Sequence, residues 1–396
     1  MNLLSVSEKL AAIDQSKVVF HAEACLHSLD QFSKCQACAA LCPVDAIQPG
    51  EPPEFEAHKC LDCLACLPVC PTGAFQADDA IRDLLHCAAR LETHAIELIC
   101  ERHPSPEKGF QEAGAAIQVK GCLAGIGTGG YLALIALGLN SIIARTDACA
   151  GCPLGSLLAQ IECQIAAVHR ILSAWRREAL VDSVGSLEGQ TLCDRPFWQA
   201  ANPPLSRREL FQMATRMGQL AAARVLSADH ASTGKHPPRQ RQRLITAIAH
   251  LPEPPAENAE LPLEGLGFAM LSISDRCTAC GACGRVCPTG ALQFFNDEDL
   301  RFRLTFEATS CMACGVCLQV CEPEAIAMHP SATYQQLFGD QAARLLISGD
   351  LVRCEHCQAL YAAHPGTQLC RLCEFRSKNP FGSRLPAGFR RVERSR

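Results

Sequence analysis

The feature that most constrains this chain is a run of four cysteines, Cys60-x2-Cys63-x2-Cys66-x3-Cys70, closed by Pro71. The segment Cys60–Phe75 (CLDCLACLPVCPTGAF) returns 217 residues later as Cys277–Leu292 (CTACGACGRVCPTGAL), so the chain carries an internal repeat. Three cysteines within seven residues can wrap one cube of iron and sulfide. The fourth stands just beyond, ahead of a helix, and points to a neighbouring cluster. Zinc knots use paired CxxC units rather than a run of four ending in Cys-Pro, so the spacing favours clusters over zinc.

Each copy is half of a paired motif. The partner of the second copy is Cys311, Cys314, Cys317 and Cys321, where the proline is displaced by one position (Cys321-Glu-Pro), a change expected to loosen the turn slightly without removing a ligand. The partner of the first copy departs further. Cys35, Cys38 and Cys42-Pro43 stand in place, but Phe32 sits where the leading cysteine belongs. Cys25, ten residues before Cys35, is the candidate substitute; without it the site would hold a labile or three-iron cluster. These motifs resemble the bacterial two-cluster ferredoxins. The resemblance implies crossed ligand sets: Cys25, Cys35, Cys38 with Cys70; Cys60, Cys63, Cys66 with Cys42; Cys277, Cys280, Cys283 with Cys321; and Cys311, Cys314, Cys317 with Cys287.

Composition narrows the setting. A count of 27 cysteines in tight CxxC spacings, behind an N-terminus (MNLLSVSEKLAAIDQSK) with acids and no apolar h-region, favours reduced, metal-held thiolates and a cytoplasmic location. A net charge of −5 gives no global reason to bind nucleic acid or an anionic membrane. Residues 121–144 carry no charge and are long enough to span a bilayer. Five glycines crowd the first half and Asn140-Ser141 interrupts the second, however, so the expectation is a buried loop–helix–turn–strand and no integral membrane span.

Between the repeats the pattern changes. Residues 95–99, 115–121 and 141–146 read as strands. Tyr131–Leu139 and Leu154–Leu180 read as helices, the latter with Leu154, Leu158, Ile161, Ile165, Val168, Leu172 and Trp175 on one face. The alternation argues for a small parallel α/β domain. Each strand runs into cysteine: Cys100, Cys122, and Cys149 with Cys152. The carboxyl ends of parallel strands form the crevice where cofactors sit, so these four make a candidate ligand set. The layout resembles the iron–sulfur delta subunit of methyl-viologen-reducing hydrogenase, through Cys100, Val119-Lys-Gly-Cys122, the Ala-Leu-Gly-Leu-Asn exit at 136–140 and Cys149-Ala-Gly-Cys152. In this chain the last two cysteines stand closer together than in that family, and a second cysteine near Cys100 is missing. The resemblance implies a [2Fe–2S] cluster, with nuclearity open, and an electron adaptor between a hydrogenase and a heterodisulfide reductase. Two other readings stand beside it. Gly125-Ile-Gly127-Thr-Gly-Gly130 satisfies GxGxxG, with Asp147 as a ribose-binding acid. Alternatively the segment is a glycine-rich turn with incidental buried thiols. Cys87, Cys163 and Cys193 lack sequence partners and read as structural, and His86, His94 and His103 as solvated or hydrogen-bonded.

Cys354-x2-Cys357-x12-Cys370-x2-Cys373 forms two knuckles, a ligand set for one Zn2+. Single iron in a rubredoxin-like site is the alternative, and zinc is preferred because the proline and glycine of that motif are absent. Ser206 and Glu209 make a capping box, so Ser206-Arg-Arg reads as a surface helix start rather than an export signal, and the tail after 374 is basic.

The expected architecture is α/β and α+β multidomain. It has a 2[4Fe–4S] ferredoxin-like module at 1–80, the α/β domain at 81–195, a Pro-rich connecting arm at 196–262, a second such module at 263–332, and a zinc-ribbon-like segment with the basic tail at 333–396. No nucleophile–base pair or paired carboxylates stand out. The function expected is relay of electrons between a cytoplasmic oxidoreductase (hydrogenase, formate dehydrogenase or heterodisulfide-reductase-like) and another carrier, as a subunit without its own substrate chemistry. It would hold four [4Fe–4S] clusters, one [2Fe–2S] cluster and one Zn2+, with redox proteins as partners. The alternatives are a nucleotide- or flavin-linked oxidoreductase subunit using the GxGxxG, and an accessory protein for iron–sulfur assembly.

Overall fold

The computed structural model describes residues 18–379, apart from 204–236 and positions 32, 79, 111–112, 178–179, 190, 253, 255–259, 264–265, 268, 340–342, 364–365 and 367. Phe32, the capping box at Ser206 and most of the basic tail lie outside the described residues. The described chain divides into two compact units, to Leu261 and from Pro262.

The first unit opens with two short antiparallel pairs, Val19–Phe20 with Phe75–Gln76 and Ile47–Gln48 with Glu54–Phe55, and two short helices, Ala37–Leu41 and Cys66–Val69. Its small core is Val18, Ile47, Leu64, Leu67 and Phe75, with Phe20, Phe55 and five cysteines packed on it. So small an apolar core leaves the cysteines carrying much of the structural duty.

A five-stranded sheet follows, parallel throughout: β1 (Ala95–Cys100), β2 (Ala115–Val119), β3 (Ser141–Arg145), β4 (Val181–Val184) and β5 (Phe197–Gln199), in the order β5-β2-β1-β3-β4. Helices α1 (Ile81–Ala88), α2 (Gly127–Ala136) and α3 (Leu158–Leu172) join it. Residues 121–145 run as loop, helix, turn and strand, and no described helix is long and apolar enough to cross a membrane. The helix expected over Leu154–Leu180 is shorter. It stops because Arg176 turns left-handed (φ 55), which frees Val181 to enter the sheet. The 196–262 segment contributes more than a connection: β5 is an edge strand, and α4 (Arg239–Ala249) packs on α2. A β-carbon on Gly129 would sit 2.8 Å from the Leu244 nitrogen, so only glycine permits that approach.

The chain passes from β1 to β2 on one side, then crosses to β3 on the other. The order in which strands are added therefore reverses between β1 and β3, where a crevice opens at the carboxyl ends. Beneath it lies a buried ion network. Glu97 of β1 accepts from Arg145 Nη1 at 2.9 Å, from Arg195 and from the Phe110 N–H at 2.6 Å. Arg145 also holds both oxygens of Asp147, at 2.7 and 3.0 Å.

The second unit pairs Met270–Ile273 with Ile326–His329, then builds an antiparallel sheet β6-β7-β8-β9 from Leu292–Asn296, Arg301–Glu307, Ala343–Arg353 and Leu360–Ala362. The C-terminal segment is thus continuous, through β8, with the hairpin of the second cysteine repeat.

Replacing Glu97 with Gln would take the carboxylate partner from the buried Arg195 guanidinium and leave Arg145 with Asp147 alone. Breaking such a pair costs about 3–5 kcal/mol, so urea unfolding should show a loss of that order. Burial alone would raise Asp147, but His103 and Arg145 hold its carboxyl well below the ordinary range. That contribution is present above the unfolded carboxyl pKa and is lost as pH falls below it, which an acid titration of stability reads.

Candidate metal centres

In the ligand loops the backbone alternates in hand. Positive φ falls at Asp62 and Leu64, at Ala279 and Gly281, and at Ala313 and Gly315, in each case the residues flanking the second cysteine. Successive residues of opposite hand turn their N–H groups to one side, forming an anion-binding concavity. The loop Cys35-Gln-Ala-Cys38 lacks this alternation, with Gln36 at φ −128, and it is the half-motif that lacks its leading cysteine in sequence.

Cys25 nevertheless stands at the same kind of turn as the leading cysteines of other half-motifs. Its N–H closes a 3-10 turn on Ala22 O at 3.1 Å, as Cys60 closes on Ala57 (3.2 Å) and Cys311 on Ala308 (3.1 Å). A short helix, Leu26–Leu29, then fills the longer loop, and His27 Nε2 lies 2.6 Å from Cys35 O. The fourth cysteines share a second rule. Three residues after each comes a left-handed residue: Asp45, Gly73, Gly290 and Glu324. That turn brings the next N–H onto sulfur, from Ala74 to Cys70 at 3.2 Å and from Ala325 to Cys321 at 3.3 Å. The displaced proline after Cys321 therefore does not loosen the turn, because the left-handed residue rather than the proline sets it.

Electrostatics show which thiols are neighbours. Burial, then Cys70, Cys35 and Cys25, push Cys38 up to about 11. Burial, then Cys60 and Cys42, push Cys63 up. Cys283 rises to about 12 through burial, Cys280, Cys277 and Cys321, and Cys317 to about 12 through burial, Cys311, Cys314, Cys287 and Cys283. Thiols grouped in this way ionise together only when a cation is bound among them.

In the sheet, Cys100 ends β1, Cys122 follows β2, and Cys149 and Cys152 follow β3. All four line one cavity at the crevice, with Arg102, Arg145 and Leu154. Cys122 is pushed up to about 12 by burial and by Cys100, Cys63 and Cys149. Leu154 N–H donates to Cys152 Sγ at 3.4 Å. The Tyr131 hydroxyl, fully buried and electrostatically close to Cys122, has no hydrogen-bond partner among the described residues. An all-thiolate set with a spare buried donor beside it fits a sulfide-containing cluster, whose potential such donors tune.

The glycine run makes no phosphate cradle. Gly125, Gly127, Gly129 and Gly130 are buried, and β-carbons there would strike Leu64, Pro68, Leu244 and Ile126 within 3 Å. Asp147 is taken by Arg145 and by His103 Nε2 at 3.2 Å. The dinucleotide reading therefore fails on both its parts: these glycines serve packing, and the acid is already paired.

The C-terminal quartet differs in kind. The sulfurs of Cys354, Cys357, Cys370 and Cys373 all lie within 4.8 Å of one another, the one such group among the described residues. Cys357 and Cys370 Sγ are 3.7 Å apart, close to the ~3.8 Å edge of a tetrahedron with metal–sulfur bonds of about 2.3 Å. Cys370 N–H donates to Cys354 Sγ at 3.3 Å, and His356 Nδ1 lies 3.6 Å from Cys373 Sγ. Against burial, the N–H groups of Cys370, Cys357 and His356 lower Cys354 to about 6. The other groups are spaced more widely than one ion draws its ligands.

Cys87 is buried, Cys163 exposed and Cys193 half-buried. Sequence reasoning missed the left-handed positions flanking the cysteines, since most are not glycine. It also missed Tyr131 and the Glu97–Arg145–Arg195 network, whose members lie 48 and 50 residues apart.

A family model described as a 4Fe-4S dicluster domain matches residues 276–325. The search of curated proteins finds no match. The matched domain, with the cysteine groups, supports iron–sulfur modules of ferredoxin type and a role in electron transfer.

Tyr131→Phe removes a buried donor that has no acceptor among the described residues. Cluster-free protein should gain about 1 kcal/mol in urea unfolding. Protein with its clusters should show a lower midpoint potential for the middle centre in a redox titration.

Proposed function

We propose that the chain is a multi-centre electron conduit joining an oxidoreductase to another carrier. The observation that carries this reading is the convergence of Cys100, Cys122, Cys149 and Cys152, from three strand ends, on one cavity in the unit that also holds the first cysteine repeat. The proposed ligand sets are Cys25, Cys35, Cys38 and Cys70; Cys60, Cys63, Cys66 and Cys42; Cys277, Cys280, Cys283 and Cys321; Cys311, Cys314, Cys317 and Cys287; and the four cysteines of the sheet. Bound iron–sulfur clusters supply one-electron chemistry at a potential set by hydrogen bonding and burial.

The chain supplies the rest. Left-handed loop residues aim N–H groups inward, the fourth cysteines receive N–H donors from their own turns, and Val18, Ile47, Leu64 and Phe75 keep water out. The partner is an oxidoreductase: a hydrogenase or heterodisulfide-reductase-like enzyme, as the resemblance to the hydrogenase delta subunit implies, or a formate dehydrogenase. Cys354, Cys357, Cys370 and Cys373 hold one zinc ion in a structural role, supported by their close tetrahedral spacing.

Metal analysis of anaerobically purified protein should give about 18 iron and about one zinc per chain. Fewer than about 12 iron would remove at least one ferredoxin-type module from the reading. Cys25→Ser should cost one cluster or convert it to a three-iron form visible by electron paramagnetic resonance; an unchanged spectrum would take Cys25 off the ligand list.

A further inference from the structure

The loop between Cys60 and Cys66 and the loop after β2 meet as backbone. Cys122 N–H donates to Cys63 O at 3.3 Å, which joins a cysteine of the sheet set to one of the Cys42, Cys60, Cys63 and Cys66 set through a single hydrogen bond. Glycines line the approach. A β-carbon on Gly121 would lie 2.9 Å from Asp62 O, and one on Gly125 would lie 2.9 Å from Leu64 Cβ and 3.2 Å from Cys63 O. Gly127 stands in the same relation to Pro68, at 2.8 Å. The Cys63 sulfur is also close enough to act electrostatically on Cys122. Among the described residues, no hydrogen bond joins Cys25, Cys35, Cys38 or Cys70 to the loops after β1, β2 or β3.

We propose that the Cys63–Cys122 contact is the electronic junction of the first unit. The centre in the sheet then exchanges electrons with the Cys42, Cys60, Cys63 and Cys66 set, and the Cys25, Cys35, Cys38 and Cys70 set lies one step further away. This rests on the conduit reading and adds an order to it. Each step moves one electron and no proton: the donor set's centre is oxidised by one electron, the acceptor's is reduced by one, and a redox protein supplies or removes that electron at the end of the series. The glycines hold the two loops at a separation that any side chain would widen, so their role is positioning.

Electron paramagnetic resonance of dithionite-reduced full-length protein tests the order, with iron content and Mössbauer spectra showing which centres each variant keeps. In the unsubstituted protein the signal of the sheet centre should show spin–spin splitting from a reduced neighbour. Cys60→Ala and Cys42→Ala remove the same neighbour from its two sides, and both should abolish the splitting; Cys35→Ala should leave it. Gly125→Ala keeps every ligand and should narrow the splitting, whereas Gly185→Ala, whose β-carbon would meet only Thr146 Oγ1 at an ordinary 3.7 Å, should not. The glycine pair carries the test if a cysteine variant does not accumulate. Splitting that survives loss of the Cys60 set, disappears with the Cys35 set, or is indifferent to Gly125→Ala overturns the order while the conduit stands. Protein with no signal from the sheet centre overturns both.

Discussion

A thiolate removed from water needs donors, and the structure is organised around supplying them from the backbone. Burial pushes the grouped thiols upward, and each neighbouring sulfur adds to the effect. Neutral N–H groups can stabilise the charge without adding side chains to a crowded loop, provided the chain turns left-handed at the right residues. That requirement explains why Asp62, Leu64, Ala279, Ala313, Asp45 and Glu324, none of them glycine, accept a conformation costing of order 1 kcal/mol or more each. The strain recurs at equivalent places in the two repeats, so it belongs to the motif rather than to one loop.

The α/β sheet meets the same need by other means. Its cysteines arrive from three strand ends, and their convergence depends on where those ends are held. Glu97 on β1, Arg145 at the end of β3 and Arg195 just before β5 tie the central strands and one edge through a buried carboxylate. Arg145 then reaches Asp147, two residues before Cys149, and His103 joins the same carboxylate three residues after Cys100. The polar network thus positions two of the three cysteine-bearing loops. Its energetic value lies in setting each buried charge against an opposite one, since an isolated charge at Glu97 would be destabilising there.

Much of this was legible in the sequence because tight spacing encodes geometry directly. Four cysteines within eleven residues leave few ways to arrange their sulfurs, and the strands ahead of Cys100, Cys122 and Cys149 announced themselves by apolar runs. The strand positions held to within two residues at each end, while the long helix was overextended because nothing in Trp175-Arg-Arg signals a left-handed stop. Val181–Val184 and Phe197–Gln199 are too short to show a period of two, and they are strands only because a sheet edge was available. The glycine run misled in an instructive way. Glycine permits close approach to a phosphate and to another backbone equally well, and local sequence does not say which.

That last point bears on how portable the parts are. In sequence the border near residue 80 separates a cysteine-rich module from an ordinary α/β fold, and a fusion of two independent pieces would look the same. In the fold, Gly121, Gly125 and Gly127 have no side chains to cover their backbone; what covers it is the loop from Asp62 to Pro68. Severed there, each half would present bare backbone where it now has a partner, and Cys63 O and Cys122 N–H would both turn to water. The two pieces are therefore one inheritance: neither can be exchanged for a relative's version unless the glycines and the loop they fit are exchanged with it.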